Sequence, residues 1–269
     1  MSLQITEWPD FLKGPSSGKR PEESAMTIGV FDGLHLGHRR LIEMVVSRGP
    51  NPTVLTFREN PRRLLSAQGG YEGDIFSLKQ KLSAFESLGV KRAVLIDFSE
   101  EFSTLKGGEF LDLLQERGRM VFLAIGAAFR CGYKQDTDAQ AIRARNERKG
   151  IPTELLSQVL APAAFGSQPL SSSRVRSAIA EGDLALASAL MGRSVELDVS
   201  DIGAQCGDDR VYDLRSVHRI APQSGRYAVR LHPGAVDSWA DTENGKIVLP
   251  MTRNEEIQSI EFRSVNIWH

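Results

Sequence analysis

Between Thr27 and Leu41 the chain reads TIGVFDGLHLGHRRL. An apolar run of strand character passes into two glycines, Gly33 and Gly37, two histidines three positions apart, His35 and His38, and then an amphipathic stretch. That order suits a phosphate. A helix start offers unpaired backbone N–H groups and the positive end of the helix dipole, and glycines let an anion come close to the backbone. If the helix has begun at His35, both imidazoles project to one side of it. There they can donate hydrogen bonds to phosphoryl oxygens and offset the charge that moves during displacement at phosphorus. Two plainer roles compete, as capping or as packing histidines. A metal role is weaker, because no carboxylate or third histidine at helical spacing completes a ligand set. The metal ligands are therefore left open.

A second stretch, LSSSRVR from Leu170 to Arg176, places Ser171, Ser172 and Ser173 with Arg174 and Arg176 at an expected helix start. Hydroxyls and guanidiniums around a helix N-terminus concentrate anion-binding groups. Positions two apart lie on different sides of a helix, so one arginine is expected at the phosphates and the other in packing or at the surface. A serine cap followed by solvated arginines is the competing reading.

These groups need a scaffold. From Met26 to Ile151, apolar runs of strand length alternate with helical segments, the pattern of a parallel sheet covered on both faces. Strands are expected at Ala25 to Val30, Thr53 to Phe57, Arg92 to Asp97 and Val121 to Gly126. Helices are expected around Leu41, Met44 and Val45, around Leu78, Leu82, Phe85 and Leu88 before Gly89, and around Phe110, Leu111 and Leu114 before Gly118. The polar stretch Gly132 to Lys149 reads as solvated or mobile, with a lid as the alternative. After Ser171 two short helices are expected, capped by Ser and stopped at Gly182 and Gly192. Then apolar and polar residues alternate in VELDVSDIGA, RVYDLRSVHRIA, RYAVRLHP, GKIVLP and IQSIEFRSV, as in antiparallel strands. A small β-barrel or sandwich beginning near Ser194 follows. The division expected is residues 1–192 and 193–269.

Composition narrows the function. With 41% apolar and 25% charged residues in 269, the chain is an ordinary globular protein of one or two domains. Lys and Arg total 33 against 34 Asp and Glu, so no global field draws in nucleic acid or an anionic membrane. Cys131 and Cys206 form no CxxC pair, which argues against a disulfide framework or zinc cluster and fits a reducing cytoplasm. The N-terminal MSLQITEWPDFLKG lacks the unbroken apolar run of a secretory segment. A soluble, unexported protein is expected, with its oligomeric state left open.

The two phosphate-type stretches in this order resemble the class I nucleotidylyltransferases, marked by HxGH near the first strand and an SSTxxR-like segment late in the domain. A narrower likeness adds LTFRENP at Leu55 to Pro61, IGAAFRCG at Ile125 to Gly132 and SSSRVRSAIAEGDLALASALMGR at Ser171 to Arg193. Together these resemble the bacterial FAD synthetases, bifunctional riboflavin kinase and FMN adenylyltransferase enzymes, over most of residues 25 to 193. The likeness implies an α/β, Rossmann-like nucleotidylyltransferase domain followed by a small antiparallel β-barrel-like domain. It implies transfer of AMP from ATP to FMN with release of pyrophosphate, using Mg²⁺. By the same likeness His35, His38 and Arg176 are the catalytic candidates. The ATP-binding candidates are Gly29, Phe31, Asp32, Gly33, Gly37, Gly126, Ser171, Ser172, Ser173 and Arg174, and Phe57, Asn60 and Pro61 border the flavin.

The chain departs from that pattern at Val30 and Asn60, where the family has Asn and His, and at Cys131, where it has Phe. Ala128 stands where the family has an Asn or Asp, and offers no hydrogen-bonding side chain. After Arg193 nothing resembles the PTAN segment of the kinase barrel, so kinase activity is expected to be lost. Trp239, Trp268, His218 and His232 in that tail read as packing or surface residues. Two further functions remain alongside FMN adenylylation. One is adenylyl or cytidylyl transfer to another phosphorylated small molecule, and the other is nucleotide or flavin binding without catalysis.

Overall fold

A computed structural model of the protein describes residues 2–14, 20–65, 71–207, 209–250 and 256–263. The chain divides into two compact units, each gathered from separate segments. The first holds Met1–Phe31, Gly37–Leu65 and Leu82–Val159, and the second holds Asp32–Leu36, Ser66–Lys81 and Leu160–His269. The units do not follow the expected single cut after residue 192: the second takes in the chain from Leu160 onward together with the two earlier segments Asp32–Leu36 and Ser66–Lys81. Among the described residues no helix is long and apolar enough to cross a membrane.

The first unit is built on β1 (Gln4–Glu7), β2 (Ser24–Ile28), β3 (Thr53–Phe57), β4 (Arg92–Ile96), β5 (Met120–Gly126) and β8 (Thr153–Leu156), with a short antiparallel ribbon of β6 (Arg130–Cys131) and β7 (Thr137–Asp138). The six main strands pair in parallel in the order β1-β4-β3-β2-β5-β8. Around the sheet run α1 (Trp8–Lys13), α2 (Leu36–Arg48), α3 (Pro61–Leu65), α4 (Leu78–Ser87), α5 (Glu100–Thr104), α6 (Gly107–Gly118) and α7 (Ala139–Arg148). Every residue of β2 is buried, as expected of a central parallel strand. Strand side chains alternate between faces. Met26, Ile28, Leu123 and Ile125 join Trp8, Phe110 and Leu111 in one core, while Ala25, Phe122 and Ala124 pack with Leu41 and Val45 on the other face. Each fully buried aliphatic side chain contributes roughly 2 kcal/mol, and Leu111→Ala, at 0% exposure, would cost about 2–5 kcal/mol.

Several segments of the first unit depart from the sequence-based reading. The N-terminal residues supply edge strand β1 and helix α1, for which no element was expected. The stretch 132–149 is largely exposed, as read, but it is not without structure: Ala139–Arg148 form α7, capped by Asp138, whose carboxylate accepts from the Ala141 amide at 2.9 Å. Only Ala139, Ile142 and Asn146 of α7 are buried, a stripe too narrow to stand out among so many charged residues.

The second unit contains α8 (Ser172–Ala180), capped by Ser171, and α9 (Leu184–Met191), which ends at Gly192 in the left-handed conformation. The expected stops at Gly182 and Gly192 both have positive φ. Strands β9 (Glu196–Asp198), β10 (Gln205–Cys206), β11 (Asp209–Asp213), β12 (Gly225–His232), β13 (Val236–Glu243), β14 (Lys246–Pro250) and β15 (Ser259–Phe262) form one antiparallel sheet, order β10-β11-β14-β13-β12-β15-β9. Strand β13 was not expected, because VDSWADTE is too polar to read as a strand; only Ala240 and Thr242 are buried. His218 is exposed, His232 sits 3.3 Å from a Glu261 carboxylate oxygen, and Trp239 is exposed, while Trp268 lies outside the described residues.

Candidate active site

In a parallel sheet the crevice beyond the carboxyl ends of the strands, where the order reverses, is the natural ligand site. Here β2 is flanked by β3 on one side and β5 on the other, so the reversal lies at β2 and β5. A cleft of about 760 Å³ opens there, lined by Gly29 and Val30 after β2, Phe57 at the end of β3, and Ala128 to Gln135 after β5. Its wall is aromatic. Phe57, Phe98 and Phe102 pack edge to face, with centroids 5.8 Å apart for Phe57 and Phe102 and 6.0 Å for Phe57 and Phe98. Phe102 in turn meets Phe110 at 5.9 Å. Such a cleft accepts a flat ring system of drug-like size. Arg130 on its rim donates two hydrogen bonds to the Gln135 carbonyl. Burial and the Asp136 charge push the Cys131 thiol up to about 12, so it stays protonated at neutral pH.

In the same unit Phe31, wholly buried with φ 53°, presents its ring edge-on to His38 at 5.1 Å and to Phe85 at 5.6 Å. This fixes the imidazole plane in the first turn of α2. Gly37 is buried in the same turn.

In the second unit the segment Asp32–Leu34 makes one 3₁₀ turn. Gly33 has φ 72°, and a Cβ there would lie 2.9 Å from two Ile75 side-chain carbons, so both conformation and space demand glycine. The Asp32 carboxylate is the hub. Oδ1 accepts from the backbone amides of Ile75 at 2.9 Å and Phe76 at 3.1 Å, and Oδ2 accepts from the Arg176 guanidinium at 2.8 Å. Ser172 Oγ donates to the Asp32 carbonyl at 2.9 Å. Burial, followed by the charge of Asp74, raises the Asp32 carboxyl above its usual range against the pull of Arg176. His35, also buried, is held neutral: burial lowers its pKa to about 4. It can therefore act as a neutral donor at physiological pH but not as an imidazolium.

A search of protein families matches residues 17–174 to the model described as FAD synthetase. The chain belongs to the FAD synthetase family. It is 28% identical over 223 residues to the bifunctional riboflavin kinase/FMN adenylyltransferase of Escherichia coli K12, covering 78% of this chain and 69% of that protein. The Bacillus subtilis 168 protein of the same name is 27% identical over 222 residues, covering 77% of this chain and 67% of that one. The structure of a macrolide-efflux protein from Streptococcus pneumoniae aligns with TM-score 0.77 at 19% identity, over 97% of this chain and 90% of that one, which speaks to fold alone.

The sequence-based candidates of this FAD synthetase-family chain are placed in different ways. Phe57, Pro61 and Gly29 line the cleft, whereas Gly126 ends β5 with open space where a Cβ would stand. Asn60 does not line it: it is 4% exposed, and its side-chain oxygen accepts from the Arg62 amide at 3.2 Å, capping α3 ahead of Pro61. His35 immediately precedes α2, which starts at Leu36, and His38 lies in its first turn. Ser171 caps α8 by accepting from the Arg174 amide, and Ser173 is exposed in its first turn. The arginines do diverge. Arg174 donates to the Phe165 and Gln168 carbonyls, while Arg176 is 4% exposed, bound to Asp32 and to the Gly73 carbonyl at 2.8 Å. Arg176 is thus turned into the protein interior rather than held out toward solvent. The sequence reading missed Phe98, Phe102 and Phe129 on the cleft, which lie outside the quoted motifs or between their marked positions. Their only signal was aromatic residues just past strand ends.

Proposed function

We propose that this chain transfers the AMP part of ATP to FMN, giving FAD and pyrophosphate. The observation that carries the reading is an aromatic cleft at the strand-order reversal of a chain of this family. A phosphate oxygen of FMN attacks the α-phosphorus in line, the bond from that phosphorus to the bridging oxygen breaks, and pyrophosphate leaves. Positioning and charge stabilisation, more than proton transfer, supply the rate. In this reading Phe57 and Pro61 border the flavin ring, and His35, His38 and the Ser171 to Ser173 turn serve the ATP phosphates with Gly29, Phe31, Gly33, Gly37, Gly126 and Arg174 shaping the nucleotide's surroundings.

Among the described residues no group of three or more His, Cys, Asp or Glu is set to hold a metal ion. Mg²⁺ is then proposed to arrive on the phosphates of ATP, as is common for this ion, and no step is routed through it. The balanced charge supports small nucleotides and flavin as partners, rather than nucleic acid or membrane, and the cysteine usage supports a cytoplasmic setting.

Ala128 on the cleft favours a second reading, in which nucleotide or flavin is bound without turnover. One assay separates the two. Incubation with FMN, ATP and Mg²⁺ followed by chromatography is expected to yield FAD, and retained binding with no FAD supports the second reading. Riboflavin in place of FMN is expected to yield no FMN, since the tail carries no PTAN-like clamp for a transferring phosphoryl group. FMN formed from riboflavin would reveal a kinase site in other residues of the chain.

A further inference from the structure

The residue that a nucleotidylyltransferase-type motif would set on the phosphates, Arg176, is turned inward. Its Nη2 meets Asp32 Oδ2 at 2.8 Å, its Nε meets the Gly73 carbonyl at 2.8 Å, and its guanidinium carbon lies 5.5 Å from the centre of the Tyr71 ring. Both charged partners are almost wholly buried, with side-chain exposures of 5% and 3%. Tyr71 itself donates to Asp74. What the pair holds is a strained piece of backbone. Phe31, Gly33 and Leu34 have φ of 53°, 72° and 41°, and two of the three are not glycine. At residues that carry a side chain, as at Phe31 and Leu34, such conformations persist only where the surroundings over-determine them. Asp32 sits in the middle of that run, and its carboxylate and carbonyl take four hydrogen bonds from Ile75, Phe76, Arg176 and Ser172. Ser172 opens α8, so one residue ties the turn before His35 to the first turn of the serine-bearing helix.

We propose that Asp32 and Arg176 are positioning residues for adenylyl transfer, a buried pair that holds the Gly33–His35 segment and the N-terminal turn of α8 in their working shape, with Arg176 acting through Asp32 rather than on the phosphates. The proposal rests on the activity proposed above. A direct phosphate ligand must keep its positive charge to work. A positioning arginine need only satisfy its partner.

The pair can therefore be neutralised as a unit. In Asp32→Asn the Oδ1 atom still serves the Ile75 and Phe76 amides, but an amide N–H group now faces the Arg176 donors. In Arg176→Gln the carboxylate is left buried without its partner. In the double variant the side-chain amide introduced at position 32 can donate to the side-chain oxygen introduced at position 176. We expect each single variant to lower kcat for FAD formation about tenfold or more and to lower the melting temperature by roughly 6 °C or more, as breaking a buried pair does in a chain of this size. The double variant should regain most of both, with kcat within about threefold of wild type and an unchanged KM for ATP. A double variant whose melting temperature is restored while kcat stays at the Arg176→Gln level would overturn the proposal and put Arg176 on the phosphates. Single variants with wild-type kcat would overturn it as well. If Arg176→Gln does not yield folded protein, the double variant alone decides, by its kcat. A wild-type protein that makes no FAD sinks the activity reading instead, an outcome distinct from an inactive double variant beside an active wild type.

Discussion

The cleft in the first unit and the Asp32 loop in the second solve different problems with different chemistry. The cleft is apolar and shared among the ends of several strands, with four phenylalanines touching in a chain from Phe57 to Phe110. The loop is polar and concentrated, with one carboxylate accepting three of the hydrogen bonds that fix it. Apolar burial is non-directional and tolerates imperfect fit, so the loss of one ring is shared by its neighbours. Hydrogen-bonded charge in a dry interior is directional, and losing one partner leaves the other's desolvation cost uncompensated. Substitutions should therefore grade gently in the cleft and sharply near the phosphate-type loop.

The sharpest test of that contrast is His38→Ala, expected to lower FAD formation about a hundredfold or more, since one charge-stabilising donor is worth roughly 3 kcal/mol in the transition state. His35→Ala should behave similarly. Near wild-type turnover in both folded variants would remove the histidines from the proposed chemistry.

His35 also gives the loop a pH signature. Its folded pKa, about 4, lies below the ordinary 6.5 because burial disfavours the imidazolium. Between those values the unfolded chain binds more protons than the folded one, so stability is full above pH 6.5 and falls as pH drops toward 4. The loss attributable to this one group reaches about 3 kcal/mol. Urea midpoints measured across that range should show the fall, and His35→Gln should flatten it. An unchanged slope in the variant would mean that other groups govern acid sensitivity.

Phe102→Ala probes the cleft. It should raise KM for FMN by about tenfold, a loss of roughly 1.4 kcal/mol, while leaving KM for ATP close to wild type. Equal increases in both would blur the division of labour between the two regions. Ala128→Asn should have the smallest effect and the opposite sign. Restoring a hydrogen-bonding side chain on the cleft is worth roughly 1 kcal/mol, so KM for FMN should fall severalfold. If FMN binding weakens instead, the cleft has adapted to alanine and the family contact has been replaced.

Much of the first unit was legible because parallel strands buried on both faces must be continuously apolar. Thr53–Phe57 is found as read, and β2, β4 and β5 shift by only one or two residues at their ends. The helix carrying Leu111 and Leu114, and the pair of helices after Ser171, followed from helical spacing, serine caps and glycine stops. Among the elements that escaped, α7 and β13 are half-solvated, and their few buried residues leave too faint a period in the sequence. Within the site, types and spacing picked out the two histidines, Gly33 and the serine cap, since each carries a local physical requirement, whereas Phe57 was named only through the family likeness.

What sequence could not fix is which neighbour each polar group finds. Asn60 reads as a flavin-side residue by its place in LTFRENP, yet its side chain closes a hydrogen bond two residues away. Arg176 reads as an anion ligand, yet a carboxylate 144 positions earlier in the chain takes its charge. Local patterns such as strand burial, helix spacing and capping depend on residues a few positions apart, so the sequence alone determined the α/β scaffold, the β-rich tail and the motifs of this FAD synthetase-family chain. The partner of a buried charge depends on which distant segments the fold brings within about 3 Å, and only the tertiary structure decided that.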